Sequence, residues 1–257
     1  MTTALITGAS SGIGAGFAER FAGLGYSLVL VARDEARLQQ FAVRLREKSK
    51  ADVEVLPADL NTDDGCGAVE ARLADTERPV DILVNNAGFG LGTDIVQSTV
   101  DDEERVLRVM VRAPMRLTKA ALLVMLARRH GTIITVASVA GMLSYNSYGA
   151  AKAWAVRFSE TLSAQLAGTG VQALALCPGL VHTEFHQRGN VDTTGAPRFM
   201  WLNVDRVVDE CLRDLARGKV VSIPSKRYRL VVGIGRHLPS SLVVRLDRRR
   251  RLGATPH

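Results

Sequence analysis

Short aliphatic runs alternate along this chain with longer stretches of helical period, and that alternation restricts its fold more than any other feature. The runs at 2–7, 27–32 (SLVLVA), 53–57 (VEVLP), 81–85 (DILVN), 132–137 (TIITVA) and 171–177 (VQALALC) have the length and β-branched content of buried strands. Between them, residues 12–24, 34–48, 63–76, 102–129 and 148–167 carry a 3.6-residue period. Strands without polar alternation need cover on both faces, so the pattern predicts a parallel sheet flanked by helices. Right-handed crossovers make it an α/β, doubly wound sheet of the Rossmann type, with its ligand crevice at the carboxyl ends of the strands. A helix near 204–217 and a strand VVSIP (220–224) continue the series. No linker, repeat or low-complexity segment intervenes, so residues 1–237 are expected to form one domain and 238–257 a basic tail.

At 257 residues the chain needs neither disulfide nor metal to bury a sufficient core. Cys66, Cys177 and Cys211 are odd in number, far apart and form no CxxC, which favours a reducing compartment. The start, MTTALITGAS, lacks a cationic segment and a long apolar run, and no run approaches membrane-spanning length. A cytoplasmic protein is expected. Of the net charge of +7, an excess of four lies in RLDRRRR (245–251). The remainder is near neutral, which argues against a nucleic-acid surface across the fold. The segment LPSSLVVRLDRRRR (238–251) reads either as a solvated terminus or as a weak contact for an anionic membrane surface.

The first strand runs into TGASSGIG (7–14), with glycines at 8, 12 and 14. Small residues between a strand and a helix let the backbone approach a pyrophosphate, whose charge meets the helix N–H groups. Just after the second strand, VARDEARL (31–38) offers Arg33 and Asp34. A guanidinium matches the 2′-phosphate of NADP in charge and fork geometry, and Arg37 lies one turn further on. Asp34 either serves a ribose hydroxyl, as in NAD sites, or caps the next helix. Arg33 comes first, so NADP(H) is favoured over NAD(H).

Residues 144–152, SYNSYGAAK, place Lys152 one helical turn from Tyr148, with Tyr145 two turns from the lysine. A neighbouring ammonium favours phenolate and would bring a phenol toward working pH. By itself the spacing is equally that of an ordinary amphipathic helix.

With TGASSGIG, NNAG (85–88), VASVAG (136–141), YGAAK (148–152) and PGLVHT (178–183) in this order, residues 2 to about 185 resemble short-chain dehydrogenase/reductases of the classical type. The resemblance implies that Tyr148 is the acid/base, that Lys152 lowers its pKa and bonds the nicotinamide ribose, and that Ser138 polarises the substrate carbonyl. It implies hydride transfer between NADP(H) and a carbonyl/alcohol pair. Gly8, Ser10, Gly12, Ile13 and Gly14 would line the dinucleotide, with Arg33 at its phosphate. Asp59 would meet adenine, or serve only as a turn residue. Asn86, Ala87 and Gly88 would close the crevice, or only brace the sheet. Pro178, Gly179 and Val181 would complete the cofactor wall, and Thr183 would hold the carboxamide.

Two departures from that pattern stand out. Met110 occupies the place of an asparagine that serves a proton relay in many members, and a thioether cannot donate a hydrogen bond. Only nine residues separate Ser138 from Tyr148, about three fewer than usual, so GMLSYNS (141–147) is a shortened loop. Both leave open a dinucleotide-binding sensor or scaffold with little catalysis.

Residues 184–203 are expected to form a substrate lid. Phe185, Phe199, Met200, Trp201 and Leu202 would face a lipophilic substrate or pack the lid onto the body. In HTEFH (182–186), His182 and His186 have a metal-ligand spacing, but Glu184 falls on the wrong face and no third ligand is apparent, so no metal is expected. The start of the helix at 148–167 is apolar nearly all round (Ala151, Trp154, Val156, Phe158), which suits either a homodimer or homotetramer interface or cover by an insertion.

Overall fold

A computed structural model describes residues 1–143, 146–189 and 195–237. Tyr145, part of the expected lid and the whole tail at 238–257 lie outside the described residues. The chain runs β1 (Thr3–Thr7), α1 (Gly12–Gly23), β2 (Ser27–Ala32), α2 (Glu35–Ser49), β3 (Val53–Pro57), α3 (Asp63–Leu73) and β4 (Ile82–Asn85). It continues through α4 (Val100–Leu107), α5 (Ala113–Arg128), β5 (Gly131–Val136), α6 (Ala140–Leu143), α7 (Ser147–Gln165) and β6 (Val171–Leu176). Last come α8 (Phe185–Arg188), α9 (Val204–Ala216), β7 (Val221–Ser222) and α10 (Lys226–His237).

All strand pairs are parallel, in the order β3-β2-β1-β4-β5-β6-β7. The order reverses between β1 and β4, and that switch point opens the crevice where such sheets bind ligands. On one face the sheet packs against Phe17 and Phe21 of α1, Leu38 and Phe41 of α2, Val207 and Cys211 of α9, and Tyr228 of α10. The other face meets Val69 and Leu73 of α3, Leu117 and Met125 of α5, and Leu162 of α7. Both faces are dry, as the unbroken apolar strands require.

Helix starts follow their capping residues. Asp34 Oδ1 accepts from the Arg37 N–H at 3.0 Å, so Asp34 is an N-cap. Thr62, Thr99 and Asn146 cap α3, α4 and α7 in the same manner.

Two elements differ from the sequence pattern. The periodic stretch at 102–129 is broken by a π-helical turn at Arg108–Arg112. Pro114 near the start of α5 has no N–H to return to the Met110 carbonyl, so the ladder shifts locally to bonds such as Ala113 N–H to Arg108 C=O. The second difference is α10, whose period is hidden by Gly233, Gly235 and its cationic residues. Among the described residues no helix is long and apolar enough to cross a membrane.

Phe21 is 1% exposed and stacks on Tyr26 with ring centroids 5.5 Å apart. Phe21→Ala should cost about 3–5 kcal/mol, read as a lower urea midpoint at unchanged slope.

Candidate active site

The loop between β1 and α1 is built so that only glycine fits. Gly8 and Gly12 have φ of 64° and 57°. A Cβ on Gly14 would run into the Gly8 carbonyl. Asn86 locks the loop from the next strand over: its Nδ2 donates to Thr7 C=O at 2.9 Å and Gly8 C=O at 3.2 Å. Thr7 Oγ1 accepts from the N–H groups of Asn86 and Ala87 at 2.9 and 3.0 Å. The NNAG residues therefore brace the loop itself. The N-cap of α1, Ser11, makes no side-chain capping bond, and the first turn holds no acid. Four of the other helices close this end with a side chain; α1 leaves its N–H groups and positive dipole end available to an anion. The loop thus fits a dinucleotide pyrophosphate.

Arg33 directly follows β2, is exposed, and makes no ion pair among the described residues. Arg37 reaches back to the loop: its Nε donates to Ser10 C=O at 3.0 Å and its other arm pairs with Glu184 at 2.8 Å. Asp59 is held in a turn after β3, where its Oδ1 accepts from Asn61 N–H at 3.0 Å. That is the turn role the sequence left open, and it engages one carboxylate oxygen.

Across the crevice, Ser138 lies two residues beyond β5. Its Oγ accepts from Ala140 N–H at 3.1 Å and donates weakly to Pro178 C=O at 3.5 Å. Tyr148 stands in the first turn of α7, placed by the Asn146 cap. Burial pushes its phenol up to about 12, and a hydrogen bond with Ser138 pulls the other way. Although part of the Tyr148 ring remains exposed, the surroundings of its hydroxyl are dense. Lys152 is 6% exposed, and its Nζ donates to Val136 C=O at 2.7 Å. Nζ stands 5.7 Å from the Tyr148 ring centroid. Burial pushes this ammonium down to about 8, with Cys177 acting in the opposite direction. The helix spacing does bring the pair together, and the lysine is anchored on the strand.

Met110 is 2% exposed and lies beside the same lysine: a Cβ on Gly88 would sit 3.6 Å from both Lys152 Nζ and Met110 Sδ. The residue at the asparagine position therefore faces the site as an apolar wall. It packs in a small cluster with Val106 and Ala151, against which Tyr148 and Phe89 also lie.

The segment after β6 closes over these groups. Thr183 packs on the glycine loop, its Cγ2 3.2 Å from where a Gly12 Cβ would be. Val181 pairs with Leu202 in a parallel bridge, so the lid leaves and returns at one point. Phe185 lies 5.6 Å from the Tyr148 ring, His186 5.4 Å from Phe185, and Trp201 5.1 Å from His186 and 5.0 Å from His182. The two histidines thus belong to an aromatic wall centred on Trp201. Burial pushes the His186 imidazole down, and its Nδ1 is buried without a hydrogen-bond partner among the described residues.

The family model described as short chain dehydrogenase matches residues 2–193, nearly the whole of this sheet and its site. The chain belongs to the short-chain dehydrogenase family. It is an oxidoreductase of CH–OH/C=O groups that uses a nicotinamide cofactor. A short-chain dehydrogenase from Sphingobium yanoikuyae, solved in complex with NADPH, is 35% identical with a TM-score of 0.83, over 100% of this chain and 97% of that one. The bulky-bulky ketone specific alcohol dehydrogenase of Comamonas testosteroni is 33% identical with a TM-score of 0.79, over 100% and 95%. An NADP-dependent 3-hydroxy acid dehydrogenase of Schizosaccharomyces pombe is 35% identical over 190 residues, 71% of this chain and 73% of that protein.

In this short-chain dehydrogenase, one supporting residue has no signal in the motifs. Tyr228 of α10 donates to Met200 C=O and accepts from Leu180 N–H, each at 2.9 Å. Its ring fills the space a Cβ on Gly179 would need. Pro178, Gly179 and the lid return are thus propped from an element some 48 residues later. A lone tyrosine in a cationic helix gave nothing to find it by.

Lys152 yields a pH test. Its folded value lies below its unfolded value of 10.5, so between about 8 and 10.5 the unfolded chain binds the extra proton and stability rises with pH. Lys152→Met should therefore raise the urea midpoint of the cofactor-free protein at pH 7, with the gap to wild type narrowing toward pH 10. A gap that is constant with pH would show that the lysine is charged at no cost in the fold.

Proposed function

We propose that this short-chain dehydrogenase interconverts bulky lipophilic ketones or aldehydes and their alcohols, with NADP(H) as cofactor. The observation that carries the reading is the contact between Tyr148 and the aromatic wall of the lid through Phe185. A substrate carbonyl at Tyr148 and Ser138 would carry its substituents against Phe185, His186 and Trp201, which reward apolar and aromatic area. The ketone specificity named for the Comamonas relative supports the same class.

The bound dinucleotide supplies or accepts the hydride. The chain does the rest. In reduction the Tyr148 hydroxyl gives its proton to the carbonyl oxygen while Ser138 Oγ holds that oxygen by a second hydrogen bond. A phenol held near 12 is protonated throughout the physiological range, which suits the reducing direction. Lys152, anchored on Val136 C=O, orients cofactor ribose and reprotonates the tyrosine through its own ammonium. Phe185 and Met110 keep bulk water from the reacting atoms.

NADP(H) is supported by Arg33, which has no carboxylate partner among the described residues, and by Asp34, whose Oδ1 caps α2. The NADPH bound to the Sphingobium relative agrees. Exposed Leu107, Met115, Leu123 and Leu126 on α4 and α5, and the partly exposed Trp154–Phe158 stack of α7, support pairing of chains through these helices. Met110 against Lys152 favours a second reading, a dinucleotide-binding protein with little turnover.

The test is turnover of NADPH and NADH on a panel of aryl and alkyl ketones. NADPH should be preferred, and Tyr148→Phe should abolish consumption while leaving NADPH binding within a few-fold. Arg33→Ala should weaken NADPH about 10–100-fold and NADH hardly at all, the scale of a lost hydrogen bond to a charged group. Binding without turnover on the whole panel, restored by Met110→Asn, would establish the second reading.

A further inference from the structure

Helix α10 is fixed to the core along one face. Tyr228 and Val232 are 4% and 2% exposed. Leu230, Val231 and Ile234, by contrast, are 65%, 40% and 58% exposed. Helical geometry puts these three within about 100° of one another. Phe199 continues the stripe. It is 59% exposed, and Arg227 lies 5.4 Å over its ring while donating to its carbonyl at 2.8 Å. Four large apolar side chains therefore stand out of one edge, a concentration that scattered surface hydrophobics do not produce.

Beside the stripe, α9 and α10 enclose a cleft of about 360 Å³ lined by Arg206, Arg213, Lys226, Arg227 and Arg229, with Glu210 the one acid. Glu210 pairs with Arg206 at 2.9 Å and Arg229 at 3.3 Å. Arg213, Lys226 and Arg227 have no carboxylate partner among the described residues. The imbalance extends over the whole C-terminal part. Residues 215–257 hold eleven lysines and arginines against the single Asp247, a net +10. The whole chain carries +7, so residues 1–214 carry −3. The charge is segregated in sequence onto the C-terminal part of the chain, to which α10 belongs.

We propose that α10, the Arg198–Met200 turn and this cleft form a docking face for an anionic lipid bilayer. Acidic phospholipid head groups enter the cleft. Leu230, Val231, Ile234 and Phe199 enter the boundary between head groups and acyl chains, in the manner of an interfacial helix. A nucleic acid would use the cations but not the stripe. A second copy would use the stripe, but a two-fold contact would bring two cationic clefts together. Docking does not depend on the proposed chemistry. If that reading also holds, Phe199 lies within the lid, and docking would set the lid at the phase into which a lipophilic carbonyl partitions.

The test is flotation of the full chain with phosphatidylcholine vesicles and with equimolar phosphatidylcholine/phosphatidylglycerol vesicles, at low and high salt. Wild type should float with the anionic vesicles only, and less at high salt. Lys226→Gln with Arg227→Gln should lower the partition coefficient about twenty-five-fold, taking about five-fold per charge. Leu230→Ser with Ile234→Ser should lower it about ten-fold or more. All four positions are exposed, and an unchanged melting temperature and unchanged NADPH binding would certify the variants. Replacing Arg248, Arg249, Arg250 and Arg251 by Gln is the control. If that change abolishes flotation while both α10 pairs leave it intact, the tail is the contact and the proposal fails. It fails equally if wild type does not float or floats alike with neutral vesicles. Binding to duplex DNA as tight as to vesicles and untouched by the Leu230/Ile234 pair would overturn it in favour of nucleic acid. A lipid-free dimer that the same pair turns into monomers, with flotation unaltered, would assign the stripe to a second copy.

Discussion

The amide of Asn86 holds the molecule together at the point on which its chemistry depends. It bridges the Thr7 and Gly8 carbonyls while a β1 hydroxyl takes the N–H groups of Asn86 and Ala87. These bonds join β1 to β4 at the switch in strand order, where each half of the sheet would otherwise leave backbone groups unpaired. They also fix the path of the glycine loop, and the loop fixes where α1 begins. An uncapped helix start has a use only if it is aimed, and Asn86 aims it.

The side of the crevice that holds Tyr148 and Lys152 buries two titratable groups at a cost to their charged forms. Burying Lys152 disfavours its charge, and burying Tyr148 disfavours ionisation of its phenol. The fold answers the first with a single strand carbonyl, Val136, and the second with Ser138. Neither group makes an ion pair with an Asp or Glu among the described residues. A site of this kind holds its protons by exclusion of water rather than by ion pairing, and Met110 adds to the exclusion.

The lid side depends on parts distant in sequence. Arg37 of α2 spans from the glycine loop to Glu184 at the lid's first residue. Tyr228 of α10 supports the lid's return at Leu180 and Met200. The glycine loop and the segment after β6 are therefore mechanically joined, with the charged strap on one side and the tyrosine prop on the other.

The doubly wound parallel sheet was legible in the sequence, because unbroken apolar strands and a strand–glycine–helix junction have few packed solutions, and Ser138, Tyr148 and Lys152 were legible as candidates that the fold brings to one crevice. Asp34 was legible as a choice between a ribose ligand and a cap, and the structure shows the cap through one carboxylate oxygen. The direction of Lys152 was not legible. Helical spacing puts it beside Tyr148, but the carbonyl it bonds belongs to β5, sixteen residues away. The break at Arg108–Arg112 was hidden because a proline near a helix start looks harmless until the helix before it continues into the same axis. Nor could the roles of Tyr228 and Arg37 be read, since their partners lie 48 and 147 residues away along the chain. The sequence by itself determined what repeats locally: strand, helix, turn and the chemistry of each motif. Tertiary structure decided which buried polar atom answers which, because hydrogen bonds act over about 3 Å and have no memory of chain distance.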